Sequence, residues 1–78
     1  MNPLIGTIVL FAGTYVPTDW ALCDGHLLPI APNIPLFSIL GTSYGGNGTT
    51  NFAVPKLKAP LSNSRYIIAV KGTFPTPS

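Results

Sequence analysis

Two continuous apolar runs near opposite ends of this 78-residue chain constrain its fold more than any other feature. Residues 7–12 read TIVLFA between two glycines, and residues 65–71 read RYIIAVK. β-branched and aromatic residues favour strands, and continuous apolarity is typical of a strand covered on both faces. We therefore expect two buried strands that are neighbours in one sheet. A chain of this length has room for one domain, which we place over residues 1–78.

The segment between these runs predicts a β-hairpin. Asp24 and Gly25 stand between two apolar stretches, residues 20–23 and 26–28. A two-residue Asp-Gly turn is a strong hairpin signal, because a type I′ turn needs positive φ at both central positions. Such a turn would place Cys23 opposite His26, where the pair could ligate a soft or borderline metal. Two ligands are too few for a site, so we expect a buried thiol beside a hydrogen-bonded imidazole and no metal.

One short helix is expected after the hairpin. Asn33 can cap it, Pro35 falls in its first turn, and Gly41 can end it. Its buried face would hold Leu36, Phe37 and Leu40. A few short strands, an Asp-Gly hairpin and one short helix make the predicted fold class mostly β, of the α+β type.

A glycine-rich loop over residues 42–51 follows the helix. Glycines mark positions that need positive φ or a close backbone approach, and here they are Gly45, Gly46 and Gly48. We take Tyr44, Asn47 and Asn51 as candidate contact residues in this loop. The tail, residues 73–78, is proline-rich and is expected to be extended, with Phe74 as an anchor.

Association with further copies is the expected source of stability. A domain of this size usually needs disulfides, a metal or a partner subunit. The chain has one cysteine, so no internal disulfide forms, and its charged residues make up 8% against about 25% in typical soluble domains. Both anions, Asp19 and Asp24, lie in the first third, and all four cations lie in the last third. That asymmetry suggests head-to-tail attraction between copies.

The C-terminal strand is the predicted interface. A small chain with two apolar end strands leaves a sheet edge open, and an open apolar edge pairs with another strand. We expect this strand to complete a sheet with another chain, while the tail lies over that neighbour. The predicted interface residues are Arg65, Tyr66, Ile67, Ile68, Val70 and Phe74.

The sequence offers little for catalysis. A hydrolytic carboxylate pair would need Asp19 and Asp24, which a loop and a turn already explain. A Ser-His-Asp relay would need His26, and no Gly-x-Ser-x-Gly motif is present. The glycine loop lacks the Lys-Ser/Thr pair of a phosphate site. Four scattered cations make a nucleic-acid surface improbable. We therefore predict a protein that is not an enzyme, binds no cofactor and contacts no nucleic acid.

Targeting signals are also absent from the apolar opening. Residues 4–12 follow no positively charged region and are too short to span a bilayer. We expect no classical signal peptide and no membrane insertion.

Several runs resemble, in order and spacing, the phage tail-collar domain of short tail fibres, which also occurs in the bacterial microcystin-dependent protein group. The matching runs are IGTI at 5–8, WALCDG at 20–25, LFSILGTSYGGNG at 36–48, FAVP at 52–55 and YIIAVKGTFP at 66–75. Within these runs we expect the fold-defining residues to be Trp20, Asp24, Gly25, Gly41, Gly45, Gly46 and Gly48.

The chain departs from its relatives in two ways. Relatives continue with Pro-Asp-Leu-Arg-Gly, whereas residues 55–59 read PKLKA. They also carry a long segment before the last strand, which is reduced to a short loop here, so the match is to a shortened form. Some tail-fibre relatives hold a metal on a three-fold axis through histidines, but this chain has no His-x-His.

The resemblance implies a structural self-assembling subunit of a phage-tail-like fibre, collar or extracellular filament. The alternative is an adhesion module that recognises a cell-surface glycan or a partner fibre protein. The expected partners are copies of the chain itself, in a trimer or an open filament, and other tail proteins. The expected location is a virion or an extracellular appendage, reached by lysis or a dedicated machine.

Overall fold

The computed structural model describes residues 3–75, which form two small antiparallel sheets and one short helix. The elements, in chain order, are β1 (Ile8–Phe11), β2 (Trp20–Leu22), β3 (Leu27–Pro29), a 3-10 turn (Ala31–Asn33), α1 (Ile34–Leu40), β4 (Asn51–Ala53) and β5 (Arg65–Ala69). The predicted α+β class is confirmed. Residues 76–78 of the predicted tail lie outside the described residues.

The larger sheet has the order β1-β5-β2, so the two apolar runs are neighbours as predicted. Val9 lies opposite Ile67 on one side of β5, and Ala21 lies opposite Ile68 on the other. The expected covering of both faces holds for β5, where Ile67 is 2% and Ile68 is 0% exposed. It is wrong for β1, where the successive side chains of Ile8, Val9 and Leu10, which point to alternate faces, are all exposed.

The predicted Asp-Gly hairpin does not form. β2 pairs with β5, whereas β3 pairs with β4 in a separate two-stranded sheet, so Asp24 and Gly25 connect the two sheets. Gly25 has the expected positive φ of 84°, but Asp24 does not share it, and a type I′ turn needs both. β5 offers β2 a buried apolar partner, which a hairpin of two three-residue strands would lack.

The helix forms as predicted. Asn33 occupies the N-cap position, and Gly41 ends the helix with its backbone N–H donating to the Phe37 carbonyl (2.7 Å). The Asn33 side chain does not cap the helix, because its Nδ2 donates instead to the Pro29 carbonyl (2.9 Å) at the end of β3. The predicted buried face of the helix is confirmed: Leu36 is fully buried, and Phe37 and Leu40 are partly buried.

The core lies between the sheets and α1. Phe52 of β4 is fully buried at its centre, and its ring packs against Phe37 with centroids 5.4 Å apart. Trp20, one of the predicted fold-defining residues, is half-buried on β2 and lies outside this cluster. The buried cluster is Ile5, Ala21, Cys23, Leu36, Phe52, Val54 and Ile68.

Candidate assembly surface

β5, the predicted interface strand, is occupied within the chain on both sides. The Tyr66 carbonyl accepts from the backbone N–H of Cys23 (2.9 Å), just beyond β2. On the other side, the backbone N–H of Ala69 donates to the Thr7 carbonyl (2.9 Å). The prediction that β5 offers an open edge to another chain is therefore wrong, because β5 is the central strand. Ile67 and Ile68 are buried side chains rather than surface contacts.

The other predicted interface residues lie nearer the surface. Arg65, Tyr66 and Val70 are half-buried, and Phe74 is exposed. The tail begins by pairing with the chain's own opening segment, since the backbone N–H of Ile5 donates to the Thr73 carbonyl (2.9 Å). Phe74 is thus presented next to the N-terminal segment as an exposed ring.

The side of β1 that faces away from β5, which we call the β1 edge, is the open apolar surface of the larger sheet. Ile8, Val9 and Leu10 are 38%, 38% and 42% exposed. Ladder bonds of a central antiparallel strand alternate between its two neighbours. Ala69 hydrogen-bonds towards β1, so Ile67 and Arg65, at alternate positions of β5, also bond towards β1. Their partners are Val9 and Phe11. The backbone N–H and C=O groups of Ile8 and Leu10 therefore point away from β5.

The residues between the two sheets form a polar corner. The Asp24 carboxylate accepts from the backbone N–H of His26 (3.0 Å) and also contacts the His26 ring at Nδ1. The hydrogen bond from the His26 side chain is the main reason that the pKa of Asp24 is lowered. Asp24 also forms an antiparallel bridge with Lys56, whose aliphatic stem lies beside Gly25.

Cys23 and His26 do not share a face. The Cys23 side chain is in the core, and burial raises the pKa of its thiol, with a smaller effect from the Asp24 charge. The His26 side chain is 41% exposed and contacts Asp24 instead. The metal hypothesis required a hairpin with Cys23 opposite His26, and that hairpin does not form. Residues 3–75 contain no cluster of three metal-ligating side chains.

The separation of charges along the sequence does not persist in the fold. The Asp19 carbonyl accepts from the backbone N–H of Val70 (2.9 Å), which places Asp19 beside Lys71, and Asp24 bridges Lys56. The backbone of each anion thus lies next to that of a cation from the last third, and head-to-tail attraction between copies stays a prediction. Asp19 and Asp24 flank β2 at opposite ends, about 16 Å apart at the rise of an extended chain, so they form no carboxylate pair.

Asn47 organises the glycine-rich loop. Its side-chain Oδ1 accepts from the backbone N–H groups of Thr49 (2.8 Å), Thr50 (2.8 Å) and Asn51 (3.2 Å). The Asn51 side chain returns the contact by accepting from the Asn47 backbone N–H (2.9 Å). Two of the three candidate contact residues therefore use their side chains to hold the loop together. Tyr44, the third, is 53% exposed.

Four predicted glycines confirm their structural role. Gly41, Gly45, Gly46 and Gly48 all have positive φ. Gly46 also needs space, because a Cβ there would lie 2.4 Å from the Cα of Phe52. The loop is thereby held tightly against β4 and the centre of the core.

Two sheets and a short helix, with an uncharged strand edge and no pocket among residues 3–75, define a small α+β module. Its candidate site is a surface rather than a cleft. The sequence model of the phage tail collar domain family matches residues 6–60, more than half of the chain, and the chain belongs to that family. This membership indicates a structural module of the kind found in phage tail fibres. A comparison with curated proteins finds no match.

No helix within the described part of the chain is both long and apolar enough to cross a bilayer.

Proposed function

We propose that this chain is a structural subunit that assembles with copies of itself into a fibre, collar or filament. The observation that carries the proposal is the β1 edge, where Ile8, Val9 and Leu10 are exposed and the outward backbone groups have no partner within residues 3–75. Native proteins usually defend such an edge with charge, proline or a covering loop. The chain has no charged residue before Asp19, so the β1 edge carries no charge of its own.

The test is the mass of the purified protein in solution. Size-exclusion chromatography with light scattering over a range of concentrations should show species larger than the 8.2 kDa chain, with the mass rising with concentration. Negative-stain microscopy of the same samples should show rods or rings. A monomer that stays folded at every concentration, including hundreds of micromolar, would refute the proposal.

An adhesion role is the second candidate, and Tyr44 is the observation that favours it. Its ring is exposed on a loop that Asn47 holds in one conformation, so little ordering would be needed on contact. An exposed aromatic ring on a preorganised loop suits a glycan or a partner fibre protein. Binding of the labelled protein to bacterial cells, lost on Tyr44→Ala and retained on Tyr15→Ala, would support this role. Tyr15 is the matched control because it is 67% exposed on the β1–β2 connection.

A non-catalytic role is part of the proposal. The two carboxylates lie at opposite ends of β2, and the one imidazole contacts Asp24 on an exposed corner. The hydroxyls of Ser38 and Ser64 donate to nearby backbone carbonyls, so neither is paired with His26. A screen for hydrolysis of model esters and glycosides should therefore give no activity above that of buffer.

A further inference from the structure

The β1 edge differs from the other three strand edges of the fold. The glycine-rich loop closes the outer edge of β4 with two hydrogen bonds. The backbone N–H of Ala53 donates to the Gly45 carbonyl (3.1 Å), and the backbone N–H of Gly48 donates to the Asn51 carbonyl (3.0 Å). The outer edge of β3 contains Pro29, which has no N–H and whose carbonyl accepts from the Asn33 side chain (2.9 Å). Neither edge can extend its sheet.

The outer edge of β2 is short and obstructed. β2 has three residues, and Trp20 and Leu22, whose backbone groups point outwards, are both half-buried. Immediately after β2, the Cys23 carbonyl accepts from the backbone N–H of Leu57 (3.0 Å). Within residues 3–75, the β1 edge is therefore the strand edge that is both open and apolar.

A single open edge limits how copies can pair. Head-to-tail addition needs two different complementary edges on each chain, whereas one open edge can meet the same edge of a second copy about a two-fold axis. We propose that β1 pairs antiparallel with β1 of a second copy, centred on Val9, to make one six-stranded sheet. The proposal deepens the self-assembling role and rests on it.

The outward backbone groups restrict the register of this pairing, and a register centred on Val9 is the one that uses both outward residues of each strand. Ile8 and Leu10 carry the free N–H and C=O groups, so in an antiparallel ladder Ile8 lies opposite Leu10 of the second copy, and Leu10 opposite its Ile8. Val9 then faces its own copy in the non-hydrogen-bonded position, where Cα atoms are about 4.5 Å apart. The strand is self-complementary in this register and in no register shifted by one residue, because such a shift would leave the outward groups unmatched.

The charge and the exposed apolar area of the β1 edge indicate how strong the contact between two copies is. The absence of charge in residues 3–18 means that pairing two copies of β1 brings no like charges together on the strands. Ile8, Val9 and Leu10 together expose on the order of 200 Å², about a quarter of the roughly 800 Å² that each partner buries in a stable complex. The β1 contact is therefore a weak two-fold joint that by itself stops at a dimer, so a fibre or collar also needs contacts between dimers. Covalent trapping is the suitable assay for a joint this weak.

The experiment is disulfide trapping of Val9→Cys in a Cys23→Ala background, at micromolar protein under mild oxidation. A Cα separation of about 4.5 Å lies within the range that a disulfide can bridge. Leu10→Cys in the same background is the register control, since its two copies would be diagonal, about 7–8 Å apart and beyond that range. Leu61→Cys is the control for random collision, because Leu61 is 65% exposed on a loop.

We expect Val9→Cys to form the disulfide dimer about tenfold faster or more than either control, after correction for reactivity with a small thiol reagent, because association raises the effective thiol concentration. Equal rates for Val9→Cys and Leu61→Cys, or faster coupling of Leu10→Cys, would overturn the proposed register. If these results came with a concentration-dependent mass of the reduced protein, the self-assembling role would stand and the β1 contact alone would fail. A reduced protein that is monomeric at every concentration would refute both the self-assembling role and the β1 contact.

A second pair of variants covers the case in which a cysteine variant fails to fold. Leu10→Lys should weaken self-association about tenfold or more, because it places two lysines on facing strands, and Leu61→Lys should leave it unchanged. Both side chains are exposed, at 42% and 65%, so neither change empties the core. Equal association of the two variants would overturn the β1 contact.

Discussion

Replacing Gly46 with alanine should destabilise the fold much more than the same change at Gly25. Both glycines have similar positive φ, 95° and 84°, so each substitution carries the left-handed penalty of about 1–2 kcal/mol for an L-residue. At Gly25 the new Cβ would lie 3.3 Å from the Lys56 Cβ, a tight contact that needs a shift of only a few tenths of an ångström. At Gly46 it meets the Phe52 Cα at 2.4 Å and the Asn51 carbonyl oxygen at 2.9 Å, and both are backbone atoms.

Relieving the Gly46 clash requires the loop to move away from β4, next to the buried Phe52 ring. Overpacking of this kind costs a further 1–3 kcal/mol or so, which brings the total for Gly46→Ala to about 2–5 kcal/mol against about 1–2 for Gly25→Ala. In a domain of this size each kcal/mol lowers the melting temperature by about 4–8 °C.

The assay is thermal and urea unfolding, followed by circular dichroism and by the fluorescence of the single tryptophan, Trp20. A Gly46→Ala protein that is unfolded beside a folded Gly25→Ala protein would agree with the prediction. Equal stability of the two variants would refute the reasoning, since the backbone contact at Gly46 would then have no energetic consequence.

Three further predictions concern single side chains. Asn47→Ala should cost about 2–3 kcal/mol in urea unfolding by removing three accepted hydrogen bonds, whereas Asn47→Asp, which keeps the acceptor, should cost less. Because the pKa of Asp24 is lowered, its stabilising effect is present above the ordinary value of 3.8 and is lost as pH falls through the lower folded value. The acid melting profile of Asp24→Asn should lack that decline, and an unchanged profile would contradict this. Burial and a raised pKa should make the Cys23 thiol react with iodoacetamide far more slowly in the native than in the urea-unfolded protein, and similar rates would contradict its core position.

Sheet edges explain why the interface prediction selected the wrong strand. Residues 7–12 and 65–71 both have an uncharged apolar centre, and that apolarity does not say which run becomes the central strand. β5 is central because β2 pairs with its second side, which leaves β1 at the edge. The one sequence signal that could have identified Ile8, Val9 and Leu10 is the absence of any charge before Asp19.

The features that the sequence determined by itself are local ones. Pro35 lies in the first turn of α1 and Gly41 ends it, because the fixed φ of a proline and the positive φ of a glycine depend on the residue itself. Glycines predicted tight backbone for the same reason, and the two apolar runs predicted strands. The order of motifs was also sufficient to indicate the collar family, which the match over residues 6–60 shows.

Tertiary structure decided which strands meet. Asp24-Gly25 satisfies the local signal for a hairpin, yet β2 pairs with β5, more than forty residues away, because Ile68 and Ala69 give it a buried apolar partner. Strand β4 and the central position of Phe52 depend in the same way on contacts across the chain. Pairing energy comes from surfaces that are distant in sequence, so the choice of the exposed edge, and with it the candidate assembly surface, exists only in the folded chain.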